Sequence, residues 1–151
     1  AFKGPEATQQ NIDAIKTNSA SAYSGTYEIN GKQTKVDFQV VDITPGTPKA
    51  AKNDVQLLSG PTSLPVTGKS FLNEVGGTKG EINMASKGIA YGEAEHEMGH
   101  FAGADDHYNY GTGKVDPTYS GNLMGQLPGT IDQRNIVEML SNKNNIVEHE
   151  K

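Results

Sequence analysis

The most informative stretch of the sequence runs from Glu93 to Tyr108 and reads EAEHEMGHFAGADDHY. It contains HEMGH at positions 96–100, in which the two histidines are four residues apart. On an α-helix, residues with this spacing lie on one face, roughly 6 Å apart along the axis. Both imidazoles can therefore reach one metal ion. Glu97 follows His96 by about 100° around the helix, close enough to hold a proton near that ion.

A third ligand for the metal ion is expected just downstream of this helix, because a catalytic zinc ion binds three protein ligands and leaves its fourth position to water. Gly103 follows His100 by three positions, and a glycine there can end a helix in the left-handed conformation. The chain can then double back and bring Asp106 to the metal, which gives the pattern H-E-x-x-H-x-x-G-x-x-D. Asp105 and His107 flank this position and remain rival ligands.

The pattern resembles that of the metzincin metallopeptidases, in which the last position is usually histidine. The snapalysin-type enzymes among them carry aspartate there, followed by His-Tyr, as at positions 106–108 of this chain. The segment SGNLMG at positions 120–125 is similar to the Met-turn that lies beneath a metzincin metal site, with Met124 as its methionine. Snapalysin-type enzymes usually carry a disulfide, whereas this chain has no cysteine.

The resemblance implies an α+β fold of the zincin-like (metzincin) kind. We expect a twisted, mostly parallel sheet, a packing helix, the zinc-binding helix and a C-terminal helix. At 151 residues the chain is expected to form a single domain, 1–151. By the same resemblance, an edge strand beside the cleft is expected within Ser70 to Ser86. Such a strand would pair with a protein or peptide substrate bound in extended form.

The pattern outside the motif predicts the remaining elements. Alternating apolar residues, turn signals and capping residues indicate helices and strands at separate places along the chain. They predict a first helix over Pro5 to Ala22, a hairpin over Tyr23 to Val41 with its turn at Asn30-Gly31, strands at Asp54 to Ser59 and Glu81 to Met84, the zinc helix over Ile89 to Ala102, and a last helix from Thr130 or Asp132 to about Asn144. His149, near the polar C-terminus, is expected to be solvated rather than a ligand.

The chemistry expected of the site is metal-assisted hydrolysis of a peptide bond. His96, His100 and Asp106 are the expected Zn²⁺ ligands, and Glu97 is the expected general base and then acid. Met124 is expected to form an apolar floor without touching the ion. The chain is therefore interpreted as a zinc metalloendopeptidase.

A tyrosine hydroxyl is a further expected part of such a site. Many metzincins have a tyrosine two residues after the Met-turn methionine, where this chain has Gln126. Tyr108, Tyr110 or Tyr119 could supply that hydroxyl at the transition state, although such a tyrosine is more often a packing residue. His107, if it is not a ligand, is expected to support one.

Composition narrows the partners and the setting. A net charge of −5 argues against nucleic acid or an anionic membrane as the main partner, and no apolar run approaches the length of a membrane span. Without cysteine, any metal must be held by nitrogen and oxygen. A chain that starts at Ala1 is expected to be a processed or excised piece.

Two settings agree with that expectation. One is a secreted bacterial protease. The other is the toxin module of a larger bacterial effector, delivered out of the cell and blocked by an inhibitor or immunity protein. Two other functions use the same residues: a metal-stabilised module that binds extended peptide without cleaving it, and a zinc amidase acting on a non-peptide amide.

Overall fold

The computed structural model describes residues 1–64 and 67–148 of the chain; His149 lies outside these ranges. In chain order, the described residues form β1 (Phe2–Lys3), α1 (Gln9–Tyr23), β2 (Gly25–Ile29), β3 (Lys32–Val36), β4 (Asp54–Leu58), β5 (Phe71–Leu72), β6 (Lys79–Asn83), α2 (Glu93–Ala102) and α3 (Gln133–Ser141). Short 3-10 helices occupy Lys49–Ala51, Lys87–Tyr91 and Pro117–Tyr119. The chain is therefore α+β, with three α-helices in the described part.

Four strands form a mixed sheet in the order β1-β4-β6-β5. β1 and β6 run parallel to β4, and β5 pairs antiparallel with β6. In β4, Val55 and Leu57 are buried and alternate with half-buried neighbours, as expected for a strand with one face on a core. The two-residue β5 ends the sheet, inside the segment where an edge strand was predicted.

The core of the molecule consists of two apolar clusters that meet at α2. The first lies between the sheet and helices α1 and α2 and contains Ile15, Val55, Leu57, Ile82, Ala94, Met98 and Phe101. The second lies between the ends of α1 and α2 and helix α3 and contains Tyr23, Ala102, Ala104, Leu123, Met124, Ile136 and Met139. Burying these side chains contributes most of the favourable free energy of folding and holds α2 between its neighbours.

The first helix and the hairpin occur where they were predicted, with different bounds. α1 begins at Gln9 rather than near Pro5, because Thr8 caps it: the Thr8 hydroxyl accepts a hydrogen bond from the Asn11 amide. β3 ends at Val36 instead of continuing to Val41. Beyond it, the Phe38 amide donates to the side chain of Ser24, which takes the chain out of the hairpin ladder.

The other two helices are also shorter than predicted. α2 begins at Glu93 because Gly92 adopts a left-handed conformation (φ 96°), which separates α2 from the 3-10 helix before it. Asp132 caps α3, as predicted, but α3 ends at Ser141. Two apolar side chains of α3, Val137 and Leu140, are exposed. No helix in the described part of the chain is both long and apolar enough to cross a membrane.

Candidate metal centre

Helix α2 brings three of the predicted site residues together in the interior. His96, Glu97 and His100 are all buried, with 5–8% of their surface exposed. The Nε2 atoms of His96 and His100 lie 3.0 Å apart, as expected for residues on one helical face. The helix thus presents two imidazole nitrogens to a single point.

The turn after α2 adds Asp106 to this point. Gly103 ends the helix with φ 103°, and its amide bonds back to the carbonyls of Gly99 and His100. This confirms the predicted left-handed turn. Asp106 Oδ1 then lies 3.2 Å from the Nε2 atoms of both His96 and His100. The three side chains form a group that could hold a metal ion, with one ligand atom each and all three atoms within 4.8 Å of one another.

Both imidazoles are oriented by backbone carbonyls on their far sides. His96 Nδ1 lies 2.9 Å from the carbonyl oxygen of Leu123, and His100 Nδ1 lies 2.8 Å from that of Ala104. A carbonyl oxygen only accepts hydrogen bonds, so each Nδ1 carries the proton. In the neutral imidazole with this tautomer, Nε2 carries a lone pair. In both rings that lone pair points toward the other two ligand atoms, which is the orientation that metal-binding histidines need.

The three ligand atoms fit a zinc ion in spacing and in chemistry. Nitrogen and oxygen ligands about 2.0–2.1 Å from a tetrahedral zinc ion lie about 3.3 Å from one another. The observed separations are 3.0 Å and 3.2 Å. Asp106 Oδ1 is buried and makes no hydrogen bond. Two lone pairs and a carboxylate oxygen would repel one another at this distance unless a metal ion or a proton lay among them.

Asp106 is held on its other oxygen as well. Oδ2 accepts a hydrogen bond of 2.6 Å from the hydroxyl of Tyr110, which leaves Oδ1 to face the histidines. Burial acts to raise the pKa of Asp106. The contacts with His100 and His96 outweigh burial and hold that pKa well below its usual range. Asp106 is therefore a carboxylate, as a metal ligand must be.

Glu97 lies beside the group formed by His96, His100 and Asp106, and its buried Oε2 has no hydrogen-bond partner. Burial raises the pKa of its carboxyl to about 8 in the metal-free protein; the charge of Asp106 adds to the shift and His96 opposes it. An unpaired carboxyl with a raised pKa is one that can take up and release a proton near neutral pH.

Met124 is completely buried. Its amide donates to the side chain of Asn122, and its carbonyl accepts from the His107 amide. Its sulfur lies 3.5 Å from the hydroxyl of Tyr23, which also donates to the carbonyl of Glu95 in α2. The Met124 segment therefore connects α1, α2 and the loop that carries Asp106.

Gly99 is a position of α2 against which Tyr23 and Met124 pack. A Cβ at this position would lie 2.2 Å from the Tyr23 hydroxyl and 2.8 Å from the Met124 sulfur. This explains a glycine inside a helix, where alanine ordinarily stabilises by about 1 kcal/mol. The close approach of Tyr23 and Met124 therefore accounts for the glycine at this position.

We therefore expect Gly99→Ala to destabilise the protein by about 1–3 kcal/mol, because the added methyl group would overpack the contact with Tyr23 and Met124. Urea unfolding of the metal-free protein measures the change. Gly46→Ala is the matched control, since a Cβ there meets nothing within 4 Å. A Gly99→Ala variant as stable as the control would contradict the packing described here.

The rival ligands lie away from the cluster. The Asp105 side chain is exposed and accepts from the Asp106 amide, and His107 Nε2 lies 2.9 Å from a carboxylate oxygen of Glu138. Of the candidate tyrosines, Tyr110 reaches Asp106, whereas Tyr119 stacks on His107. Tyr108 is half-buried, and burial together with the charges of Asp106 and Glu97 raises its pKa, so its hydroxyl stays protonated.

A cavity of about 440 Å³ borders the cluster. Residues 106–109 and 114–116 line it, including Asp106 itself. It is formed by the loop after α2, where Tyr108 and Val115 make an antiparallel bridge. A side chain of a bound molecule could enter here next to the metal cluster.

Several residues of the site carried no signal in the sequence. Tyr23 acts through contacts with residues that are distant in the chain. Leu123 and Ala104 act through their backbone carbonyls. Neither kind of contact can be recognised from a pattern of residue types. Glu138 carried no signal beyond its place within the predicted last helix.

Comparison with known proteins identifies no relative, since no family model, no curated protein and no solved structure matches the chain significantly. The geometry of the His96, His100 and Asp106 group is therefore the basis for assigning a function.

Proposed function

We propose that this chain is a zinc-dependent endopeptidase of metzincin type with a zincin-like fold. The observation that carries the proposal is the convergence of three ligand atoms beside an unpaired buried glutamate. His96 Nε2, His100 Nε2 and Asp106 Oδ1 would hold the ion, and Glu97 lies next to them. A purely structural metal site needs no such carboxyl.

Zinc is proposed because two imidazoles and one carboxylate are a common ligand set for catalytic zinc. A bound zinc ion would act as a Lewis acid that lowers the pKa of a water molecule and polarises a peptide carbonyl. Asp106 brings one negative charge to a site that is otherwise neutral. The centre would therefore carry less positive charge than a three-histidine site, and we infer a smaller effect on the water.

Glu97 supplies the proton transfers in this proposal. Its carboxylate accepts the proton of the attacking water and delivers it to the nitrogen that leaves when the peptide bond breaks. A cation in the cluster favours the ionised form of Glu97, which offsets the effect of burial on its pKa. Burial of Glu97 also excludes bulk water, so the transferred proton passes directly between Glu97 and the reacting groups.

Strand β5 is the proposed binding edge for an extended substrate. It ends the sheet and contacts α2, so a peptide added along it would lie close to the metal cluster. Backbone hydrogen bonds of this kind bind any sequence, and side-chain pockets provide selectivity. The cavity beside Asp106 is one such pocket.

The proposed setting is a bacterial protein that acts outside the cell that makes it. A secreted protease and the toxin module of a larger effector agree equally well with a small, cysteine-free domain. In the second setting an inhibitor or immunity protein would cover the cleft, and binding of such a protein would favour the toxin over the free protease.

The test combines metal content with cleavage. The purified chain is loaded with zinc, its metal is quantified, and it is incubated with casein as an unstructured protein substrate. We expect one zinc ion per chain, cleavage of casein, loss of cleavage on chelation and recovery when zinc is returned. Glu97→Gln, purified in the same way, controls for contaminating proteases.

Two results would contradict the proposal. If no zinc binds, the assignment of these residues as a metal site is wrong. If zinc binds and neither casein nor a peptide library is cut, the peptidase is wrong, and the non-cleaving peptide-binding module or a zinc amidase replaces it.

A further inference from the structure

A single carboxylate on α3 holds both neighbours of Asp106. Glu138 Oε2 accepts a hydrogen bond of 3.1 Å from the backbone amide of Asp105. Glu138 Oε1 lies 2.9 Å from Nε2 of His107. The residue before Asp106 and the residue after it are therefore attached to the same side chain, which is separated from them by more than thirty positions.

Glu138 and its two contacts, to Asp105 and His107, form a clamp around Asp106. The His107 end of this clamp is fixed by further contacts of His107. The His107 ring stacks on Tyr119 with 3.5 Å between the ring centres and planes 7° apart. On Tyr119 lies the guanidinium of Arg134, 3.7 Å from the ring centre, and Arg134 is in turn paired with Asp132. The His107 backbone adds bonds on both sides, to the Met124 carbonyl and from the Asp116 amide. His107 is thus a rigid anchor, and Glu138 joins it to Asp105.

Asp106 needs such anchoring because it is the loop member of the cluster. His96 and His100 are positioned by a buried helix, whereas Asp106 follows the left-handed turn at Gly103. A ligand on a mobile loop loses conformational entropy when it binds a metal, and that loss weakens binding. Attachments on both sides of the ligand remove most of the loss before the metal arrives.

We propose that Glu138 is a positioning residue that holds Asp106 in place and so sets the affinity of the site for its metal ion. Glu138 touches neither the ion nor the substrate in this role and acts through Asp105 and His107. The inference rests on the metal centre of the proposed function and is independent of whether the chain cleaves peptides.

The test measures zinc affinity in variants of the full chain by competition with a chromophoric chelator. Glu138→Ala removes both hydrogen-bond acceptors, and we expect the zinc dissociation constant to rise about 10–100-fold, the usual cost of losing a residue that supports a ligand. Glu138→Gln keeps one acceptor of similar shape and is expected to fall between Glu138→Ala and the wild type. Glu28→Gln, at an exposed hairpin position, is the matched control for loss of a negative charge and should leave the constant unchanged.

Two further readouts separate positioning from a general effect on folding. The visible absorption of the Co²⁺-substituted protein should change in both Glu138 variants, because the geometry of the Asp106 ligand changes. His107→Phe keeps an aromatic ring on Tyr119 but loses the bond to Glu138. It should weaken zinc binding on its own and add nothing in the Glu138→Ala background, since both substitutions remove the same clamp.

The result that would overturn the inference is an unchanged zinc dissociation constant and cobalt spectrum in Glu138→Gln and His107→Phe, whatever happens to the stability of the metal-free protein. In that case Glu138 only helps α3 to pack. Wild-type protein that binds no zinc would instead refute the proposed function itself, so the two failures are distinguishable.

Discussion

Replacing Glu97 with glutamine is expected to lower the rate of peptide hydrolysis by about 10²–10⁴-fold, the usual contribution of a general base, while zinc remains bound. Glutamine has the size of glutamate and cannot accept the proton of a water molecule. The metal ligands are untouched, because His96, His100 and Asp106 supply all three ligand atoms. The measurement is kcat/KM on an internally quenched peptide, with the zinc content of each sample determined in parallel.

The matched control is Glu95→Gln. Glu95 lies two residues earlier on α2 and is also buried, with an unpaired Oε2 of its own. Residues two apart point to different sides of a helix, so Glu95 cannot share the role of Glu97. We expect Glu95→Gln to retain activity. Full activity in zinc-loaded Glu97→Gln would refute the proposed mechanism.

Replacing Asp106 with alanine is expected to weaken zinc binding by more than about 100-fold, since even residues that only support a ligand cost about 10–100-fold. The substitution removes one of three ligand atoms and leaves two histidines, which are not enough for a catalytic zinc site. Hydrolysis should fall with the loss of metal. Titration with zinc against a competing chelator measures the effect directly.

Asp105→Ala decides between the rival ligands. Asp105 has the same side chain as Asp106, immediately adjacent in the chain, but its carboxylate is exposed and does not face the histidines. Its backbone amide, which donates to Glu138, is retained in the variant. We expect Asp105→Ala to bind zinc nearly as well as the wild type. A large loss in Asp105→Ala with little loss in Asp106→Ala would show that the third ligand is assigned wrongly.

The helix part of the site follows from local spacing. His96 and His100 face one point because four residues make about one helical turn, and this holds in any protein where the segment is helical. Gly103 could be interpreted in the same way, because glycine, which has no Cβ, adopts the left-handed conformation at the end of a helix most readily. The structure confirms both the helix and this turn.

Element bounds were harder to predict because they depend on competing local bonds. The start of α1 was set by the hydroxyl of Thr8 and the end of β3 by the hydroxyl of Ser24, each through one hydrogen bond. Val137 and Leu140 fit a helical apolar stripe but are exposed, since α3 buries Asn135, Ile136 and Met139 instead. Which face of a short helix is buried depends on what packs against it, and the pattern of one segment does not contain that information.

The α2 helix, the turn at Gly103 and the two histidines and glutamate on that helix could be predicted from residue order alone, because they depend on bonds and spacings within a few residues. The fold was needed to show that Asp106, and not Asp105 or His107, faces the histidines, that Tyr23 and Met124 pack against Gly99, and that Glu138 contacts both neighbours of Asp106. Those contacts join segments that are distant in the chain. They are selected by the packing of α1 and α3 around α2, where close-packed side chains admit one arrangement.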